Sequence, residues 1–262
     1  MARNNALNFN LPSADDLFST EEERAEARLE KVVNLSPAEI SDFPNHPFKV
    51  RMDAAMQEMA ESVKQYGVLV PTLVRPKPGG GYEMVAGHRR KKAADLAGLT
   101  EIPCIVRQLT DDEATIIMVD SNIQREDILP SEKAKAYSMK YEAMKHQGRK
   151  GGGSTLDEVG EAAGESGKTV QRYIWLARLT EPLLEMIDTK RLGISQGADI
   201  SFLPTEQQLW VQEILQETKI TISNAQAVKL KEYSKEGILS PEIVQMILAE
   251  EKPKKRKYVI RE

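Results

Sequence analysis

Gly87-His88-Arg89-Arg90-Lys91-Lys92 follows an apolar, strand-like run, Tyr82 to Ala86, and leads into a helix-like run, Ala93 to Leu99. A glycine lets the backbone turn sharply and approach a ligand closely. The amides at a helix start have no intrahelical partner and point at whatever precedes them. Four consecutive cations occupy the first turn. Strand, glycine, helix start and arginines together suit a polyphosphate. Taken alone, the hexapeptide reads equally well as a solvated basic turn.

Outward from this turn the pattern is that of a small α/β unit. Pro71 to Arg75 and Gly81 to Ala86 form a hairpin around the loose Pro76-Lys77-Pro78-Gly79-Gly80 tip. Lys31 to Leu35 and Ile102 to Leu109 are further strands. Met56, Met59, Ala60, Val63 and Tyr66 recur at spacings of three and four, one helical face, with Asp53 as N-cap and Gly67 as stop. Pro44 and Pro47 force an irregular segment through Lys49-Val50-Arg51. Thr110-Asp111-Asp112-Glu113 is a capping box opening a helix that runs to Ser121-Asn122-Ile123-Gln124-Arg125.

Beyond Pro130 the chain reads as helical. A long helix carries Ala134, Tyr137, Tyr141 and Met144 on one face, and Arg149-Lys150-Gly151-Gly152-Gly153 is a basic joint or a plain surface loop. Thr155 to Ala163 and Gly167 to Leu179 are two short helices joined by a tight turn, a helix-turn-helix pattern. The second helix turns Val170, Tyr173, Ile174 and Ala177 inward. It presents Lys168, Thr169, Gln171, Arg172 and Trp175. Gln171 and Arg172 can read adenine and guanine edges, and Lys168 and Thr169 suit phosphates or bases. The acidic first helix (Asp157, Glu158, Glu161) is expected to face away from a duplex. Three amphipathic helices follow between residues 204 and 250, supporting this domain or dimerising it. The tail from Lys252 to Glu262 carries net charge +5.

Composition bounds the rest. The chain has 262 residues, net charge -4, 40% hydrophobic and 5% aromatic content, so any nucleic-acid site is a local patch. One cysteine, Cys104, sits in an apolar strand and reads as buried. His46, His88 and His146 have no metal-ligand spacing. With no signal-peptide core and no membrane-length apolar run, the expected location is cytoplasmic.

Three separated motifs, Gln65-Tyr66-Gly67-Val68-Leu69-Val70-Pro71, Gly87-His88-Arg89-Arg90 and Asn122-Ile123-Gln124-Arg125-Glu126-Asp127-Ile128, stand in the order and spacing of the ParB family of chromosome and plasmid partition proteins. The resemblance runs from about Val33 to Leu203. It implies an α+β, mainly helical chain. Composition and periodicity add a mobile arm at 1–30, accessory helices at 204–250 and a basic tail at 251–262 to the small sulfiredoxin-like α/β nucleotide-binding domain at 31–128 and the all-α helical linker and helix-turn-helix domain at 129–203 that the resemblance implies. It implies CTP and Mg²⁺ as cofactors, with Arg51, Gly87, His88, Arg89, Arg90, Asn122 and Arg125 at the nucleotide and Asn122 at the metal. It also implies double-stranded DNA and a ParA-type ATPase as partners, a homodimer closing as a clamp on DNA, and a nucleoid-associated location.

The chain departs from the family's pattern in three places. His88 and Ser121 replace glutamates, and Lys49-Val50 replaces Gln-Pro ahead of Arg51. Asp120 lies one step along the helix and points elsewhere. The expectation is nucleotide binding with at most weak hydrolysis and no catalytic residue. A transcriptional repressor or nucleoid-associated regulator on the same scaffold is the alternative, and a ParB-like nuclease a more remote one.

Overall fold

The computed structural model describes residues 31–125, 127–148, 155–218 and 220–249. The arm, the Arg149-to-Gly153 joint and the tail named above lie outside them. The fold is mixed α+β and mainly helical, as the sequence implies. It divides into two compact units. One is drawn from the stretch up to Ser41 and from Glu58–Gln108, the other from Asp42–Gln57 and from Leu109 onward.

The first unit holds β1 (Val32–Leu35), a 3-10 turn (Pro37–Glu39), β2 (Ile40–Ser41), most of α1 (Ala54–Tyr66), β3 (Thr72–Pro76), β4 (Tyr82–Ala86), α2 (His88–Ala97) and β5 (Ile102–Val106). The strand order is β1-β5-β3-β4-β2. β3 and β4 form the expected antiparallel hairpin, with Arg75 opposite Glu83. Joined through α2, β5 lies parallel to β3, setting Thr72 against Cys104. The crossover helix buries Ala93 and Ala94, two side chains small enough to sit close against the sheet. Val74, Met84, Val85, Ile102 and Cys104 are fully buried. Each of the larger ones contributes about 1.5–3 kcal/mol by leaving water. Burial pushes the Cys104 thiol up, against a hydrogen bond shared with Thr72, as befits an inert core residue.

Asp53 caps α1 as expected, its Oδ1 accepting from the Met56 amide at 2.9 Å, and Gly67 ends it at φ +72°. Tyr66 corrects the helical-face reading. It is 61% exposed. β2 pairs only Ile40 and Ser41 with β4, too short a strand to show a period.

The second unit is all helix: α3 (Asp111–Asp120), α4 (Pro130–His146), α5 (Thr155–Glu161), α6 (Gly167–Leu176), α7 (Glu181–Asp188), α8 (Ile194–Ile200), α9 (Thr205–Thr218), α10 (Asn224–Lys235) and α11 (Pro241–Ala249). Leu176, Leu183, Leu184, Ile187, Val211, Leu230, Val244 and Ile247 belong to one core cluster. The three accessory helices therefore share a core with α6 and α7. No helix among the described residues is long and apolar enough to cross a membrane.

Candidate functional site

In the first unit the basic turn is built around Gly87, at φ +112° and ψ 19° before α2, with no side-chain cap. A Cβ there would stand 2.7 Å from Thr72 Cγ2. Backbone conformation and packing against β3 both demand glycine, independently of any ligand. His88 is buried at 9% exposure, whereas Arg89 and Arg90 are half-buried. Arg90 donates from Nη1 to the carbonyls of Val70 at 2.7 Å and Pro71 at 2.6 Å, fastening the Gly67-to-Pro71 motif to α2. Burial lowers its pKa, but a guanidinium remains cationic. Lys91 donates to the carbonyl of Ile40 at 2.6 Å. Two of the four cations thus brace neighbouring backbone, a role invisible in the sequence.

In the second unit the Thr110 capping box forms as expected, and α3 ends at the Asn122 motif. Asn122 Nδ2 donates to Met118 O at 2.9 Å and to Ser121 Oγ at 3.2 Å. Arg125 forks onto Asp127, Nε to Oδ1 at 3.3 Å and Nη2 to Oδ2 at 3.0 Å. Arg51 Nη2 reaches the Asp127 carbonyl at 3.5 Å, so Asp127 brings two sequence candidates together. The Arg125 bond, foremost, holds the Asp127 carboxyl below its usual range. Glu132, 5% exposed, accepts from the amides of Lys49 at 3.0 Å and Leu129 at 3.1 Å. It lies 3.9 Å from Arg51. This buried carboxylate positions Arg51, and only its capping place after Pro130-Ser131 signalled it.

No group of three His, Cys, Asp or Glu among the described residues could hold a metal. Asp120 is engaged by Lys140 at 2.6 Å, leaving the Asn122 amide oxygen as the candidate ligand of this motif. That donor set suits a cation brought by a nucleotide's phosphates, as Mg²⁺ often is, and not a protein cage.

The helix-turn-helix is α5, a turn over 162–166, and α6. A Cβ on Gly160 would meet Glu165 O at 2.3 Å and Val170 Cγ2 at 2.8 Å, so the turn closes only over glycine. Glu165 is held from α4 by Lys133 and by the Tyr137 hydroxyl at 3.0 Å. Ser166 caps α6, accepting from the Thr169 amide at 3.4 Å. Lys168 and Arg172 are exposed, and Thr169 and Gln171 half-buried. An open cleft of about 510 Å³ is lined by Asp157, Lys168, Gln171, Arg172 and Trp175 among others. Asp157, on the helix expected to face away from a duplex, lines the same cleft as Lys168, Gln171 and Arg172. Its Oδ1 accepts from the Gly167 amide at 2.8 Å, at the start of α6.

The α3 motif also touches this element. Gln124 Nε2 donates to the Ala162 carbonyl at 2.9 Å. Lys140 Nζ reaches both Asp120 and the Val159 carbonyl, the latter at 3.3 Å.

The family model described as the ParB N-terminal domain matches residues 21–123. The chromosome-partitioning protein Spo0J of Thermus thermophilus is 34% identical over 198 residues, which cover 76% of this chain and 70% of that protein. The probable chromosome 1-partitioning protein ParB of Deinococcus radiodurans is 35% identical over 199 residues, covering 76% of this chain and 66% of its own. Among solved structures, C-terminally truncated ParB of Caulobacter crescentus matches in its complex with the centromeric parS site, with TM-score 0.46, 23% identity and coverage of 76% of this chain and 98% of that one. The same protein with CTP-gamma-S matches at TM-score 0.34 and 26% identity, covering 65% and 92%. On the identity shared with the Thermus and Deinococcus proteins, the chain belongs to the ParB family.

Proposed function

We propose that this chain is a sequence-specific double-stranded-DNA-binding partition protein whose grip on DNA is controlled by CTP with Mg²⁺. Its relatives are named as chromosome-partitioning proteins. The observation that carries the reading is the seam in the second unit. Gln124, inside the Asn122 motif, is hydrogen-bonded to Ala162 of the helix-turn-helix, so a ligand at the motif bears directly on the DNA-reading element.

Lys168, Thr169, Gln171 and Arg172 are the DNA residues of this reading. In the first unit Gly87, His88, Arg89 and Arg90 take the nucleotide phosphates, where arginine gives bidentate contacts. In the second, Arg51, Asn122 and Arg125 are the nucleotide residues, with Asn122 the metal ligand. The nucleotide supplies the charge that draws the cationic side chains in, and Mg²⁺ offsets part of it. The working form is a homodimer closing on DNA, served by a ParA-type ATPase at the nucleoid. No hydrolytic step is assigned to any residue. The engagement of Asp120 by Lys140, together with Ser121 in place of a carboxylate, favours binding without turnover.

Calorimetry with CTP, ATP, GTP and UTP in Mg²⁺ tests it, on the wild type, Arg89→Ala for the first unit and Asn122→Ala for the second. Selective CTP binding weakened in both variants is expected. No binding by any nucleotide, with duplex binding intact and lost in Arg172→Ala, would leave a repressor on the same scaffold.

A further inference from the structure

The open face of α6 does not end with the helix. Lys168, Arg172 and Trp175 follow at spacings of four and three, with Gln171 and Arg178 beside them, which makes one stripe. The edge of Trp175 packs on Phe202, ring centroids 5.1 Å apart at 63°. Phe202, just past α8, is 40% exposed. Two cations stand over it. The Arg178 guanidinium carbon is 5.8 Å from the ring centroid, and the Lys231 ammonium, from α10, is 4.1 Å away. Lys231 also donates to Asp199 Oδ1 at 3.0 Å.

An exposed phenylalanine that carries two cations holds flexible side chains in place before any partner arrives, and this lowers the entropy lost on binding. A part-exposed ion pair such as Lys231–Asp199 is weak and leaves the ammonium further protons to donate. The surface continues the basic stripe of α6 with two more cations, Arg178 and Lys231.

We propose that Phe202, Arg178 and Lys231 form a second, sequence-independent clamp on DNA phosphates, flanking the bases read by α6. The clamp rests on the DNA-binding reading above. Asp199 is its built-in competitor, held against Lys231 until phosphate displaces it.

The test is the salt dependence of binding by the full chain to a 40-base-pair duplex of random sequence, followed by fluorescence anisotropy. Each neutralised phosphate contact contributes about 0.9 to the slope of log affinity against log salt. Arg178→Gln and Lys231→Gln should each flatten the slope by about that amount and weaken binding about fivefold near 0.15 M salt. The loss should be equal on AT-rich and GC-rich duplexes. Asp199→Asn should tighten binding, because it frees Lys231 for phosphate.

If Lys231 serves only to join α10 to Asp199, Lys231→Gln will lower the melting temperature and leave the slope unchanged, and Asp199→Asn will not tighten binding. That result overturns the clamp. Failure of the wild type to bind duplex even at low salt overturns the DNA reading itself. A slope changed by Arg172→Gln but by neither clamp variant overturns the clamp alone.

Discussion

Lys140 donates from Nζ to Asp120 Oδ1 at 2.6 Å, and the two ends of this pair differ sharply in exposure. The lysine side chain is 5% exposed and the aspartate 38%. The pair ties the end of α3 to α4, and the same ammonium reaches the Val159 carbonyl in α5.

Removing one partner of this pair should therefore have an effect that depends on which is removed. Asp120→Ala leaves a buried ammonium uncompensated and should destabilise the fold by about 3 kcal/mol. Lys140→Met leaves a carboxylate that water can reach, and methionine refills most of the volume. It should lose about 1 kcal/mol. Urea unfolding of the two variants checks the asymmetry, and equal losses would sink the argument.

Gly87→Ala should destabilise the first unit whatever Gly87 does for a ligand. The left-handed backbone penalises alanine by about 1–2 kcal/mol, and the 2.7 Å approach to Thr72 Cγ2 adds overpacking of about 1 kcal/mol or more. Thr72→Ser on top should recover part of the overpacking loss and none of the backbone loss, read as melting temperature. Loss of nucleotide binding in Gly87→Ala is thus a poor test of phosphate contact, and Arg89→Ala is the better one.

The fold was legible where chemistry and spacing repeat locally. The Asp53 and Thr110 caps, the β3–β4 hairpin and the paired helices α5 and α6 all follow from their own residues. α8 was not, because seven residues with Gly197 inside show too little period, and its glycine is there to admit Ile187 and Leu176 at under 3 Å from a Cβ. In the candidate site the residue types were readable and their commitments were not. Arg90 and Lys91 spend donors on carbonyls 19 to 51 positions away, and Asp120 belongs to a lysine 20 positions on. Such partners are fixed by tertiary packing, which no local pattern reports.

Arg125 and Asp127 give a signature in pH. The arginine's hydrogen bond holds the Asp127 carboxyl below its ordinary value. A depressed folded-state value means the bond's stabilisation is complete above the ordinary carboxylate range and is lost as pH falls through the lowered one. Because Asp127 is exposed, the stability involved is small, and the titration itself is the readout. Carboxyl NMR should show Asp127 titrating below a free aspartate, and Arg125→Gln should return it toward the ordinary value. An unchanged midpoint in that variant would assign the shift to another cause.

On the proposed DNA-binding reading, Asp157 sits where stability and DNA affinity oppose each other. Its carboxylate accepts from the Gly167 amide at the first turn of α6, and it lines the same cleft as Lys168 and Arg172. The hydrogen bond supports the reading helix, while the negative charge repels phosphate. Asp157→Ala removes both, so it should lower stability by about 1 kcal/mol and still tighten duplex binding at low salt. Asp157→Asn keeps an acceptor oxygen and removes only the charge, so it should tighten binding with stability nearly intact. Melting temperature and duplex affinity measured on both variants separate the two effects. If Asp157→Asn leaves affinity unchanged at every salt concentration, the cleft lined by Asp157 is not on the DNA side of the helix-turn-helix, and Lys168 and Arg172 lose their assignment with it.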